Sequence, residues 1–322
     1  MNKIISFELR QRLQQVSHFD ETHPDRSRYN NSDYRFAPDA KFLNLAPSIR
    51  DIAPRYFEAK KITWHTHANH ALSSQVCCLN FLMPLAERPE VLAQLVRTAL
   101  KSSEVKLLPV EEGPDGRPWY VAFEWNGGGR NFLNEAGPDG SLKRGSNSTS
   151  ADAFVKYELA GKIETLLIEW KYTEQYGAPI TASGNPTRTQ RYKELAFAPN
   201  GPIRAELGLA LDAFFWEPFY QLLRQQMLAF QMQKASLDGA TKVRVLHISP
   251  SGNRALHRVT APALRGFGED AFEVFRILLS EPNDFINCST EELFRPLISS
   301  VPSSDIWAAY LTQRYRYLGG AD

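Results

Sequence analysis

Two acidic side chains and one lysine stand where the sequence predicts two adjacent β-strands. Asp152 lies at the start of the first apolar run, and Glu169 and Lys171 lie in the second, two positions apart. Residues two apart on a strand point to the same face, so Glu169 and Lys171 project together. A turn at Gly161 predicts a hairpin that brings Asp152 level with them. Two carboxylates and an ammonium that converge in this way could hold a divalent metal and a polarised water molecule.

Magnesium is the metal that these residue types favour. It prefers hard oxygen ligands, keeps several waters, and is usually held by one or two carboxylates plus substrate phosphate. Asp152 and Glu169 supply carboxylates, and the main-chain carbonyl of Trp170 is a candidate third ligand. Lys171 would orient or deprotonate a metal-bound water, or stabilise developing negative charge. The alternative is an ordinary ion pair between Glu169 and Lys171 on a solvated face. The apolar residues around them favour buried charges, which need partners or a metal.

This arrangement resembles the PD-(D/E)XK nuclease superfamily. In that family an Asp at the start of the second core strand and a (D/E)-X-K on the third strand bind Mg²⁺ and carry catalysis. Asp152, Glu169 and Lys171 match those positions, and Ala151 stands where the motif has Pro. The resemblance implies a metal-dependent phosphodiesterase that uses Mg²⁺, with Mn²⁺ as a substitute, and DNA as its substrate.

Longer strings extend the resemblance over roughly residues 60 to 250, to a bacterial group of restriction endonuclease-like proteins. The strings are Ser73 to Asn80, Thr149 to Asp152, Ile168 to Glu174, and Arg224 to Met227. This similarity implies the cleaving component of a restriction or defence system, with a cognate methyltransferase as a partner. Cutting both strands of a duplex usually needs two active sites, so a homodimer is a further expectation.

The predicted order of elements gives an α/β fold with a restriction endonuclease-like core: helix, three-stranded β-meander, helix and strand. Residues 1–60 are expected to form an N-terminal arm, 61–250 the core, and 251–322 a helical C-terminal extension packed on the core. Helices are predicted at 71–86, 89–102, 205–235 (kinked at Pro218), 271–279, 291–298 and 305–315, and strands at 105–108, 119–125, 153–159, 165–172 and 242–248. Ile4, Ile5, Leu9, Leu13 and Val16 predict a short amphipathic helix at the N-terminus.

Composition limits the class of protein. The hydrophobic fraction of 43% is enough for a sizeable core, and three cysteines form no disulfide framework. Since no signal peptide or membrane span is recognisable, a cytoplasmic protein is expected. With 37 basic and 36 acidic side chains, any affinity for DNA must come from local patches.

Two segments are candidates for such patches. Arg188, Arg191 and Lys193 lie in a predicted loop after the second strand, and Arg254 and Arg258 lie in a stretch without acidic residues. These cations would neutralise phosphates without reading sequence. The alternative is that both segments are simply solvated basic faces.

Four polar residues are expected to support the site. Gln75 lies on the helix before the strands, where the resemblance implies an acid that touches a metal-bound water, and Glu124 on the first strand is the alternative source of that carboxylate. Ser150 is expected to hydrogen-bond Asp152 or the hairpin backbone. Of Gln225 and Gln226 on the long helix, at most one is expected to be internal.

Two other functions are compatible with the sequence. His65, His67 and His70 raise the possibility of a zinc hydrolase, although their spacing lacks the i, i+4 pair of helical zinc enzymes. A catalytically inactive, nuclease-fold protein that binds nucleic acid is the other alternative, and Gln75 in place of an acid favours it.

Overall fold

A mixed β-sheet forms the centre of the computed structural model, which describes residues 5–137, 139–142, 144 and 148–320. Five strands follow one another across the sheet in the order β1, β5, β6, β7, β8, and β4 also pairs with β5. A separate hairpin pairs β2 with β3. The strands are β1 (Val105–Leu108), β2 (Glu111–Glu112), β3 (Pro118–Trp119), β4 (Ala122–Trp125), β5 (Ala151–Leu159), β6 (Lys162–Trp170), β7 (Lys242–Ser249) and β8 (Phe285–Ser289).

Helices cover both faces of this sheet and give a mixed α/β architecture. They are α1 (Phe7–Thr22), α2 (Ile52–Ala59), α3 (Ser74–Leu82), α4 (Pro89–Leu100), α5 (Asn185–Ala196), α6 (Phe219–Lys234), α7 (Ala271–Leu278), α8 (Thr290–Ser300) and α9 (Ile306–Arg314). One core, with α2, α3, α4, α8 and α9, takes Val155, Ile168 and Trp170 from the sheet. The other, with α5, α6 and α7, takes Phe154 and Leu167. None of the helices in the described residues is long and apolar enough to cross a membrane.

The hairpin of β5 and β6 carries the predicted acidic residues. Ala153 pairs with Ile168 and Leu159 with Lys162, and the two-residue turn at Ala160 and Gly161 has φ of 49° and 74°. Positive φ at both central positions matches the right-handed twist of the strands, which confirms the turn that Gly161 predicts. The second strand ends at Trp170, two residues before its predicted end.

The chain then crosses by α6 to β7, which runs parallel to β6. The crossover places α6 against the sheet face that carries Leu167 and therefore also Glu169, two positions along. Just past the end of β6, the Lys171 N–H donates to the Ile248 carbonyl (2.9 Å). This bond fixes Lys171 to β7 although it lies outside the strand.

Most of the predicted elements are confirmed, including β1, β7 and the three C-terminal helices. Four corrections concern short or interrupted segments. The strand predicted at 119–125 is divided between β3 and β4, which belong to different sheets. Residues 205–218 contain only short 3-10 turns, so α6 begins after Pro218 rather than at 205. Residues 185–196, expected to be loop, form α5. The C-terminal region, expected to be helical, also supplies the edge strand β8, a five-residue run too short for a periodic signal.

The N-terminal helix does not bury the predicted apolar face. Ile5, Leu9 and Leu13 are exposed, while Gln11 and Gln15 are completely buried. Ile4, assigned to the same face, lies outside the described residues. The helix turns its amide side chains inward because they form hydrogen bonds with buried polar groups from distant parts of the chain.

Arg314 at the end of α9 is the centre of these buried polar groups. Its Nε donates to Gln15 Oε1 (2.8 Å), and its Nη2 donates to Asn44 Oδ1 (2.6 Å). The Gln15 amide also donates to the hydroxyl of Tyr172 (3.2 Å), the residue after Lys171. Only 1% of Arg314 is exposed. The network thus holds α1 and α9 against the residue that follows Lys171.

We expect Arg314→Met to lower the free energy of unfolding by about 3 kcal/mol, because it leaves several buried acceptors without donors. Arg276→Met is the matched control, since Arg276 is exposed and, among the described residues, forms an ion pair only with Glu273 on the same helix. Its effect should stay within about 0.5 kcal/mol. Urea denaturation of the two variants measures the difference, and equal midpoints would contradict the assigned role of Arg314.

His18 predicts a distinct acid sensitivity. Burial, with a smaller effect of Arg314, lowers its pKa from 6.5 to about 3. Below pH 6.5 the unfolded chain therefore binds a proton at His18 that the folded protein does not bind. The free energy of unfolding falls as the pH is lowered. Between about pH 7.5 and about pH 5, wild type should lose about 2 kcal/mol more than His18→Gln. Parallel pH profiles of the unfolding free energy for the two proteins would contradict this expectation.

Candidate active site

Three carboxylates lie side by side on three adjacent strands. The pairs on either side of Glu124 place it opposite Asp152, because Phe123 pairs with Ala153 and Trp125 with Ala151. The next position along the β5–β6 ladder places Asp152 opposite Glu169. Directly opposite residues of antiparallel strands project from the same face with Cβ atoms about 5 Å apart. We call Glu124, Asp152 and Glu169 the carboxylate row.

The row continues onto β7 and β8 with uncharged groups. Glu169 pairs with His247, and His247 with Asn287. The His247 Nδ1 lies 2.8 Å from Asn287 Oδ1, and the imidazole stacks on Phe272. Burial, opposed by the bond to Asn287, lowers the pKa of His247 to about 3, so the ring is neutral. Charge is therefore concentrated on the β4, β5 and β6 side of the row.

Glu124 adopts an unusual backbone conformation. Its φ is 50°, in the left-handed region that non-glycine residues rarely occupy, although it lies within β4. Arg144 Nε donates to the Glu124 carbonyl (3.1 Å) and holds this conformation from outside. Strain of this kind persists only where surrounding contacts enforce it, and it clusters at functional sites.

Lys171 is the cation of the site. Its Nζ lies 2.5 Å from Glu169 Oε1, and both side chains are buried, with 7% and 4% exposed. Burial alone would lower the pKa of Lys171, but the charges of Glu169 and Asp152 outweigh it and raise the pKa well above its usual value. Lys171 is therefore firmly protonated beside the carboxylate row.

One cation does not neutralise three carboxylates. Burial and repulsion by Glu169 raise the pKa of Asp152 well above its usual value. Burial raises the pKa of Glu124 to about 7, although a bond from Gln75 opposes the shift. Without a metal, protons on Asp152 and Glu124 therefore offset part of the negative charge, and a divalent cation could take their place.

Neutral donors hold the carboxylates in place. The Trp170 N–H donates to Asp152 Oδ2 (2.6 Å), and the Gln225 amide donates to Glu169 Oε2 (2.9 Å) and to the Ser150 carbonyl (2.8 Å). The bond to Ser150 joins α6 to the segment that leads into Asp152. Gln225 Oε1 is buried and has no hydrogen-bond partner among the described residues.

Gln75 supports the row from α3. Its amide donates to Glu124 Oε1 (2.6 Å), and its Oε1 accepts the His65 N–H (2.9 Å). His65 Nε2 lies 3.4 Å from the same Glu124 oxygen. Gln75 therefore acts through Glu124 rather than at the cleft itself.

A cleft of about 350 Å³ opens over the row. Glu124, Ser150, Asp152, Glu169, Trp170, Lys171 and Gln225 line it, together with His65, Ser74, Glu174, Tyr176 and Arg224. A larger groove of about 500 Å³ runs along β8, and its lining includes Asn287 but, among the described residues, none of the three carboxylates of the row. Charge and geometry, not size, therefore identify the candidate site.

The donor set is compatible with Mg²⁺. Asp152 and Glu169 offer oxygens to the cleft, the Trp170 backbone lies beside Asp152, and the Gln225 oxygen is unpaired. In the described residues no three His, Cys, Asp or Glu side chains are close enough to hold a metal by themselves. A Mg²⁺ ion that keeps waters and takes a substrate phosphate needs only one or two carboxylates.

The predicted histidine site is wrong. His65, His67 and His70 do not form a metal-binding group in the described chain. His65 turns toward Glu124, while His70 Nδ1 accepts the Leu72 N–H (3.0 Å). The His67 and His70 ring centroids lie 6.5 Å apart, whereas the His65 ring faces the carboxylate row.

The predicted basic residues lie outside the cleft lining in the part of the chain described. Arg188 donates to the Thr181 carbonyl (2.5 Å) and packs over the Tyr220 ring, and Arg191 and Lys193 follow on α5. Arg254 and Arg258 are exposed after β7.

Sequence reasoning missed several contributors. His65, Ser74 and Glu174 line the cleft, and Arg224 donates to Thr149 Oγ1 (2.8 Å) beside Glu135. Gln225 and Gln226 are both buried, which corrects the expectation that only one is internal.

The sequence comparison identifies the family of the chain. One family profile, described as restriction endonuclease associating with ARP, matches residues 9–316, a range that contains the whole carboxylate row and Lys171. No curated protein and no solved structure matches the chain. Because the match extends over nearly its entire length, the chain belongs to the family of restriction endonucleases associating with ARP.

Proposed function

We propose that this protein is a Mg²⁺-dependent endonuclease that hydrolyses DNA phosphodiester bonds with a PD-(D/E)XK-type site. The observation that carries the proposal is the carboxylate row beside a buried, protonated Lys171 in an open cleft. Crowded carboxyl groups that resist ionisation are groups that a divalent cation would stabilise in their charged form. The family description, which names restriction endonucleases, supports the same chemistry.

Asp152 and Glu169 would hold the metal, with the Trp170 carbonyl as a further oxygen. A bound Mg²⁺ supplies an acidified water and offsets charge on the phosphate. The protein's own groups do the positioning: the Trp170 N–H orients Asp152, and Gln225 orients Glu169. Because its pKa is raised, Lys171 acts as a cation that orients water and stabilises charge on the phosphoryl oxygens, rather than as a base.

The wider proposal follows from the family. We propose that the protein is the cleaving component of a restriction or defence system, that residues 61–250 form its catalytic core, and that two copies act on a duplex. A cognate methyltransferase is the partner that protection of host DNA would require.

A nuclease-fold protein that binds nucleic acid without cutting it is the second candidate. The favouring observation is that both oxygens of Glu169 already accept hydrogen bonds, from Lys171 and Gln225. Such a protein would bind DNA with or without Mg²⁺ and leave it intact.

Cleavage of plasmid and linear DNA with Mg²⁺ tests the catalytic assignment. We expect Asp152→Ala, Glu169→Ala and Lys171→Ala each to reduce the rate about a hundredfold or more, since each removes charge or positioning from the reacting phosphate. Lys162→Ala, an exposed lysine at the other end of the same strand, is the control and should cut like wild type. Wild-type activity in EDTA, or undiminished activity of the three variants, would contradict the proposal.

Thermal stability without metal separates the roles of the two carboxylates. Asp152→Asn removes repulsion but keeps an acceptor for the Trp170 N–H, so its thermal midpoint in EDTA should rise by about 2 °C or more. Glu169→Gln leaves Lys171 without its closest partner, and its midpoint should fall. Differential scanning fluorimetry measures both. Mg²⁺ should raise the midpoint of wild type and of neither variant; a fall for Asp152→Asn in EDTA would contradict the repulsion assigned to the carboxylate row.

A further inference from the structure

A second cavity adjoins the active-site cleft. It has a volume of about 440 Å³ and is formed by the loop from Trp64 to Asn69 and by residues of the N-terminal region. His65 lines both this cavity and the cleft. We call the second cavity the flanking cavity.

We propose that the flanking cavity binds an unpaired nucleotide of the nucleic-acid strand next to the scissile phosphate. Arg35 and Lys41 contact its phosphate, and its base stacks on Tyr29 and Trp64. This inference rests on the proposed nuclease function, because that function places the strand at the carboxylate row.

The charge of the cavity is opposite to that of the cleft. Arg35 and Lys41 line it, and no acidic residue does so in the described chain. Neither cation has a carboxylate within ion-pairing distance among the described residues, whereas Arg26, Arg28 and Arg55 of the same N-terminal region each pair with an aspartate. The Arg35 Nε is buried and without a hydrogen-bond partner. Unpaired cations in a concave site suit a phosphate.

Aromatic rings complete the binding surface. The Trp64 indole stacks on Phe57 with ring centroids 4.0 Å apart, and Phe42 supports it from 5.3 Å. These contacts fix the indole before any ligand binds. Tyr29 is 40% exposed at the rim. Aromatic rings beside cations are the combination that binds single strands without reading sequence.

The wall between cleft and cavity is rigid. The His65 N–H is bonded to Gln75, and its ring lies beside Glu124. Asn44 Nδ2 donates to the carbonyls of Ala68 (3.0 Å) and His70 (2.8 Å), which fastens the rest of the loop. A strand whose phosphate lies at the carboxylate row therefore passes His65 into the flanking cavity.

Fluorescence anisotropy with a labelled single-stranded DNA oligonucleotide and the matching duplex, in EDTA, tests the inference on the full-length chain. Tyr29→Ser should weaken single-strand binding roughly fivefold or more, since it removes one stacking ring. Lys41→Gln should weaken it and lower the salt dependence of binding by about 0.7 in the log–log slope. Lys162→Gln, at the far end of the β5–β6 hairpin, is the matched control and should leave both affinity and slope unchanged.

Variants that bind the single strand like wild type, a control that weakens binding as much as they do, or wild type that binds neither probe would each overturn the flanking cavity as a nucleotide site. An unchanged salt slope for Lys41→Gln with normal thermal stability would overturn the phosphate contact. If the variants weaken binding but wild type never cuts DNA with Mg²⁺, the cavity stands and the nuclease proposal fails. If wild type cuts and the variants bind normally, the nuclease proposal stands and the flanking cavity fails as a nucleotide site.

Discussion

Like charges forced together on one row of a buried sheet are the constraint on which this structure depends. Glu124, Asp152 and Glu169 lie on three adjacent strands, and the sheet on either side of them is apolar. Carboxylates removed from water and placed beside one another resist ionisation, which is why the pKa of Asp152 is raised well above its usual value. The fold must therefore bring in partners from other elements, and α3, α6 and the end of β6 each deliver one.

The chemical type of those partners explains how the site can remain receptive to a cation. Lys171 is the cation that pairs with a carboxylate of the row, while Gln75, Gln225 and the Trp170 N–H are neutral donors. Neutral donors orient a carboxylate without cancelling its charge, so geometry is fixed and the electrostatic attraction for a cation survives. A second buried lysine in place of Gln225 would stabilise the metal-free protein, but it would also compete with the metal for Glu169.

The sequence indicates the centre of this arrangement more directly than its surroundings, for a physical reason. Asp152, Glu169 and Lys171 are within one hairpin, so strand periodicity and the turn at Gly161 are enough to bring them together. Glu124 joins the row only through the pairing of β4 with β5 across a long loop, and no local pattern encodes that register.

Other misses follow from contacts across the whole chain. The buried face of α1 is polar because Gln15 meets Arg314, 299 positions away. Gln225 and Gln226 are both buried because α6 is packed between the sheet and the outer helices, which closes more than one of its faces. Helical periodicity identifies an apolar face, but it cannot show that a polar face is covered as well.

Charge separation, rather than net charge, links the cleft to its neighbourhood. The chain carries a net charge of only +1, and several of its basic side chains are paired with acids. Yet acidic groups are concentrated at the carboxylate row, and cations without carboxylate partners among the described residues lie on the other side of His65, in a cavity that the row itself does not line. A polyanion alone would be repelled by the row and attracted to the cavity. A strand bound first through the cavity would approach the row only as a cation offsets the carboxylates, so substrate and metal should assist each other's binding.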